Sequence, residues 1–157
     1  KEWLSRQIAL AGKLKLPIII HNRESHQDVL DIVKAFRAEN ITGVFHCFSG
    51  SVEMAREVLN LGFYIGIGGP VTFKNASRTV EVVRYVPMDR LLVETDCPYL
   101  APEPFRGRRN WSGYLKYIID KVAAIKGIDY NETVRITSDN ARRLFGLDRF
   151  LEDSPRA

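Results

Sequence analysis

Three short apolar runs each end in a side chain able to hold a metal ion. Pro17-Ile18-Ile19-Ile20 precedes His21, Val44-Phe45 precedes His46, and Leu91-Leu92-Val93 precedes Glu94 and Asp96. Two imidazoles at the tips of neighbouring strands suit Zn, Mn, Fe or Ni better than Mg or Ca, which prefer oxygen. Glu94 and Asp96 are two positions apart, so on an extended backbone they face the same side. Carboxylates so placed repel unless a cation, a shared proton or hydrogen-bond donors lie between them. A metal with an attacking water meets that need: one carboxylate holds the ion while the other orients or deprotonates the water. Taken singly, each residue reads equally well as a hydrogen-bonded core histidine, or as an acid paired with Arg23 or Arg90. Their recurrence at strand ends is what points to a site. Nothing resembling a Ser or Cys nucleophile motif is present.

The elements that must position these side chains alternate. A helix-like opening, with Trp3, Leu4, Ile8, Ala11 and Leu14 at helical spacing, leads to a strand over 17–21. Helices are predicted near 25–38, with Ser25 and Asp28 spaced as a capping box, and near 52–61, with Ser51 as N-cap and Gly62 beyond the end. Further strands are predicted near 43–48, 63–67 and 91–95, and further helices near 76–85, 113–126 and 130–144, the last broken at Thr137-Ser138. Strand and helix alternating four times imply a parallel sheet with right-handed crossovers. In such sheets ligand sites form where the strands end. Four strands make either a small open sheet or half of an eight-stranded barrel, whose usual length is about 250 residues. The chain starts inside a helix without an initiator Met, which favours the half-barrel and a longer parent.

The loop after the fourth strand carries Phe105-Arg106-Gly107-Arg108-Arg109-Asn110. Arginine meets phosphate oxygens as a bidentate fork, so Arg106, Arg109 and Asn110, together with Arg23 beyond His21, are candidate phosphate contacts. A solvated basic loop is the plainer reading of the same residues. Gly66-Ile67-Gly68-Gly69-Pro70 lacks dinucleotide-loop spacing and reads as a strand end that needs close backbone approach. Cys47 and Cys97 read as small buried apolar residues, and His26 as a surface residue without a partner. With 23 Lys and Arg against 19 Asp and Glu, the net charge of +4 is compatible with a nucleic-acid substrate without requiring one. The chain shows neither a secretory leader nor an apolar run approaching the roughly 20 residues of a membrane span, so a cytoplasmic location is expected.

Taken in order, Pro17-Ile-Ile-Ile-His21-Asn-Arg23, His46-Cys-Phe-Ser-Gly50, Gly68-Gly-Pro-Val-Thr-Phe-Lys-Asn75, Leu92-Val-Glu94-Thr-Asp96-Cys-Pro-Tyr-Leu-Ala-Pro102, Arg106-Gly-Arg-Arg-Asn110 and Asn140-Ala-Arg-Arg-Leu-Phe-Gly146 resemble the TatD family of metal-dependent deoxyribonucleases. The resemblance implies an α/β fold, the TIM (β/α)8 barrel of metal-dependent hydrolases, with this chain covering about strands five to eight and the terminal helices. Residues 1–147 would be that part of the domain and 148–157 a charged tail. It implies two divalent metal ions (Mg, Mn or Zn), with His21 and His46 on one and Asp96 on the other. Asp96 would also handle the attacking water, and Glu94 would be a further active-site acid. DNA is the implied substrate, cut at phosphodiester bonds from an end. The family's His-x-His pair and bridging Glu have no counterpart here, so the chain alone is expected to be inactive or nearly so. Its two unpaired sheet edges would favour self-association. Two other readings use the same residues: a metallohydrolase acting on esters or amides, including aminoacyl-tRNA, and a catalytically silent binding or assembly module.

Overall fold

The computed structural model describes residues 1–148, so the expected tail lies almost wholly outside the described residues. Its order is α1 (Glu2–Leu14), β1 (Ile18–His21), α2 (His26–Ala35), β2 (Gly43–His46), α3 (Val52–Asn60), β3 (Tyr64–Ile67), α4 (Ser77–Tyr85), β4 (Leu91–Val93), α5 (Leu115–Lys126) and α6 (Tyr130–Phe145). The four strands form one parallel sheet in sequential order. A barrel uses that order, whereas doubly wound sheets reverse direction at a switch point. No helix among the described residues is long and apolar enough to cross a membrane.

The register explains how the two faces of the sheet divide. Ile20, Phe45, Ile65 and Leu91 pair across all four strands, and all four are buried in the main core with Val33, Val58, Val82, Ile118 and Val122 of the helices. The residues before and after each of these face the other way, as the two-residue strand period requires. On that second face, Val44, Tyr64 and Leu92 are buried against Leu144, with Ala141 and Phe145 packed around them. Helix α6 thereby covers the amino-terminal end of the second face. Its anchor is Asn140, buried, whose amide donates to the carbonyls of Met88 at 2.7 Å and Leu91 at 2.9 Å.

Several helix ends follow local chemistry. Ser51 Oγ accepts from Met54 N–H, Asp129 accepts from Asn131 and Glu132 N–H, and Gly127 and Gly146 close α5 and α6 in the left-handed conformation. Two local expectations fail. Ser25 makes no capping bond: its hydroxyl donates to the Arg23 carbonyl, and Asp28 pairs with Lys1 instead. Helix α6 runs unbroken through Thr137-Ser138: Thr137 belongs to its buried face with Thr133, Asn140 and Leu144, and its hydroxyl is satisfied by the Thr133 carbonyl one turn back, at 2.8 Å.

Candidate metal centre

The site is built at the carboxyl ends of the strands. His21 and His46 are direct register partners on β1 and β2, which brings their rings to 5.7 Å between centroids. Glu94 and Asp96 follow β4, where Glu94 N–H continues the ladder by donating to the Ile67 carbonyl. Both acids reach the same imidazole. His46 Nδ1 lies 2.6 Å from Glu94 Oε2, and Nε2 lies 3.2 Å from Asp96 Oδ1. The other Glu94 oxygen, Oε1, accepts the N–H of Cys47.

That carboxylate passes over Gly66 on the intervening strand. A Cβ there would come within 2.8 Å of Glu94 Oε1 and 3.2 Å of the Phe45 carbonyl. A side chain there would have to displace the Glu94 carboxylate, so the glycine leaves room for it to reach His46. Cys47 holds a positive φ of 45°, unusual for a residue with a side chain, and its N–H meets Glu94 in that turn.

The electrostatics follow from this packing. Burial works against the imidazolium of His46, but the hydrogen bond and charge of Glu94, aided by Asp96, outweigh it and leave the pKa raised. Burial, reinforced by the charges of Glu94 and Asp96, pushes the Cys47 thiol up to about 12. The half-buried Cys47 is therefore a poor thiolate, and Cys97, expected to be buried, is exposed.

A cavity of about 550 Å³ adjoins the site, its wall including His21, Arg23, Asp96, Tyr99 and Leu100. Gly68 and Pro70 also line it, and between them the predicted close approach occurs: a Cβ on Gly69 would lie 2.1 Å from the Leu100 carbonyl. Of the candidate phosphate contacts, only Arg23 lines this cavity. Arg106 is exposed and stacks over the Phe73 ring at 4.2 Å, and Arg109 is exposed nearby in sequence. Asn110 is buried, and its amide is spent on the loop itself: Nδ2 donates to the Tyr99 carbonyl and Oδ1 accepts Trp111 N–H. Asn110 is a loop clamp in this structure. His26, expected to lack a partner, has Asn22 Nδ2 at 2.8 Å from its Nδ1. Tyr99 and the Cys47 N–H were missed from the sequence; the prior signal was that each lies within a few residues of a proposed ligand. Gly66 belongs to the segment read as needing close approach, and what approaches it is the Glu94 carboxylate.

Whether these residues suit a metal can be judged from the donors themselves. A carboxylate on His46 Nδ1 fixes ring orientation and leaves Nε2 to an ion, the arrangement that tunes many ligating histidines. Two imidazoles and the Asp96 carboxylate are donors of the right kind. Among the described residues, however, no three of His, Cys, Asp and Glu are grouped so as to hold an ion by themselves. The set fits a metal and is incomplete.

Comparison with known proteins places the chain in a family. The family described as TatD related DNase matches residues 1–146. The chain is 51% identical over 148 residues to the uncharacterized metal-dependent hydrolase YabD of Bacillus subtilis, covering 94% of this chain and 58% of that protein. It is 41% identical to the uncharacterized metal-dependent hydrolase YcfH of Escherichia coli, covering 94% of this chain and 56% of that protein. Among solved structures, the TatD homologue YJJV of Escherichia coli superposes with a TM-score of 0.86 at 30% identity, over 92% of this chain and 56% of that one. The chain thus spans a little over half the length of these relatives. It has an α/β fold with a parallel sheet, as these TIM-barrel neighbours do, and belongs to the family of TatD-related DNases.

Proposed function

We propose that the protein carrying this chain hydrolyses phosphodiester bonds of DNA with the help of divalent metal ions. The observation that carries the reading is the convergence of His21, His46 and Asp96 beside one cavity, with Glu94 holding His46 from behind. His21, His46 and Asp96 would hold metal, with the remaining donors supplied from outside the described residues. When bound, the metal acts as a Lewis acid and lowers the pKa of a bound water toward neutrality.

The chain's own residues divide the remaining work. Asp96 stands at the cavity wall, where its carboxylate can take a proton from the attacking water. Glu94 spends both oxygens on His46 and Cys47, which makes it a positioning residue. Arg23, exposed on the same wall, can meet a phosphate oxygen beside the reacting bond. Arg106 and Arg109 stand farther out and would attract the flanking backbone.

The test uses the protein at its full natural length with Mg, Mn or Zn and matched DNA, RNA and acyl-ester substrates. DNA cleavage that needs metal and falls at least about a hundredfold in Asp96→Ala is expected. Activity unchanged in Asp96→Ala would defeat the metal assignment. Cleavage of the acyl ester without cleavage of DNA would replace the substrate.

A further inference from the structure

We propose that Thr72 is a positioning residue for substrate capture: its hydroxyl latches the loop that walls one part of the cavity onto the turn that follows β3. The proposal rests on the nuclease reading above for the substrate. It adds a residue outside the metal centre that sets how well the substrate is held.

The loop after β4, residues 97–110, contains neither strand nor helix, yet it supplies Tyr99 and Leu100 to the cavity wall. Most of its hydrogen bonds are its own. Tyr99 N–H donates to the Asp96 carbonyl at 2.7 Å, Asn110 N–H to the Pro98 carbonyl at 3.0 Å, and Asn110 Nδ2 to the Tyr99 carbonyl at 2.7 Å. Among the described residues, the hydrogen bonds of 97–110 all stay between 96 and 111 with one exception. Glu103 N–H donates to Thr72 Oγ1 at 2.8 Å.

Thr72 is prepared for this by its other bond. Its hydroxyl proton is committed to the Gly69 carbonyl at 2.8 Å, which leaves the oxygen free to accept from Glu103. The turn that carries it is anchored. Val71 is fully buried in the main core, and Phe73 N–H donates to the Pro70 carbonyl at 3.0 Å. A loop without structure of its own is thus tied to a turn rooted in the core.

Two further contacts join the same segments. A Cβ on Gly69 would lie 2.1 Å from the Leu100 carbonyl, and Arg106 lies over the Phe73 ring at 4.2 Å. Leu100 itself has a φ of 52°, in the left-handed region that a leucine rarely enters. A residue so strained keeps its place only where its surroundings over-determine it. Asp96 is held separately, by His46 Nε2 at 3.2 Å. Loss of the latch therefore leaves the reacting groups in place and lowers the fraction of molecules whose wall is formed. Apparent affinity falls by that fraction, while turnover of captured substrate does not.

The experiment uses the full-length protein with metal and DNA, reading KM and kcat separately, beside hydrogen exchange of the same protein without metal. Thr72→Val nearly keeps the side chain's shape and removes both hydroxyl bonds. KM should rise about fivefold to thirtyfold with kcat within about twofold. The peptide carrying Glu103 should exchange about tenfold faster or more, while peptides of the sheet keep their protection. Thr72→Ser, which retains the hydroxyl, should restore both. Gly69→Ala, which presses on the Leu100 carbonyl instead, should raise KM in the same way. Faster exchange with KM unchanged would overturn the proposal, because the latch would then serve structure alone. So would a fall in kcat at constant KM, or a Thr72→Ser as impaired as Thr72→Val. A protein that cuts no DNA would retire the nuclease reading; the same split, read on whichever of RNA or acyl ester it turns over, would still decide the latch.

Discussion

His21 and His46 are register partners one strand apart, yet their surroundings differ sharply. His46, on β2 between β1 and β3, has a carboxylate at each ring nitrogen, one of which reaches it across Gly66. His21 is exposed on the edge strand, next to Ile19, which is 60% exposed, and beyond it lie the exposed Leu10, Leu14 and Leu16. The same residue type at the same strand level is therefore positioned in one place and merely presented in the other. Holding an imidazole in one orientation takes a neighbouring strand on each side, one for register and one to carry the acid across.

The largest effect that would sharpen this contrast concerns the two thiols. Only thiolate attacks an alkylating reagent, and Cys47, pushed up to about 12 by burial and by Glu94 and Asp96, holds almost none near neutral pH. Cys97 is exposed. Iodoacetamide at pH 8, followed by peptide mass spectrometry on metal-free protein, should find Cys47 modified at least about a hundredfold more slowly than Cys97. Similar rates would mean that the acids do not crowd Cys47, and the enclosed half of the comparison would fail.

Packing gives the next effect. Ile65 is 0% exposed at the centre of the sheet, so Ile65→Ala should cost about 2–5 kcal/mol of unfolding free energy by lost burial and residual cavity. Ile19→Ala, on the open flank of this chain, should stay within about 0.5 kcal/mol. Urea denaturation of the two variants decides it. A large cost at Ile19 would show that the flank of β1 is covered in solution.

How much of this was legible in the sequence depends on how local each cause is. The strand and helix pattern was readable because apolar spacing acts within a few residues, and it placed His21, His46, Glu94 and Asp96 at strand ends. The Ser51 cap and the closing glycines were readable for the same reason. The predicted break in α6 failed because Thr133, Thr137, Asn140 and Leu144 form a buried face, and packing outweighs the weak helix preference of β-branched and hydroxyl side chains. Asn110 read as a phosphate contact because an exposed loop position was assumed. Its actual partners at Tyr99 and Trp111 come from a loop fold that no short window reveals. Glu94 shows the same limit: spacing put it on the side of Asp96, but only the register across β3 shows that its oxygens are spent on His46 and Cys47.

The smallest expected effect is also the most specific to His46. Its pKa is raised above the ordinary 6.5, so the folded state holds the ring proton more tightly than the unfolded chain does. The sign follows: the stability gained from the imidazolium among Glu94 and Asp96 is fully present below the unfolded value and is lost as pH rises through the folded one. Glu94→Gln keeps an acceptor near Nδ1 and removes the charge that drives the shift. In metal-free chain, the urea-midpoint advantage of wild type over Glu94→Gln should be greatest below pH 6.5 and fade above it. An advantage that grew with pH would mean that the ring is neutral when folded and that Glu94 only accepts from it. Metal must act in the opposite direction, because an ion needs the Nε2 lone pair that the proton occupies. Zn-dependent stabilisation should therefore rise over the same pH range in which the proton-linked part declines, and Glu94→Gln should weaken it about tenfold to a hundredfold in metal affinity.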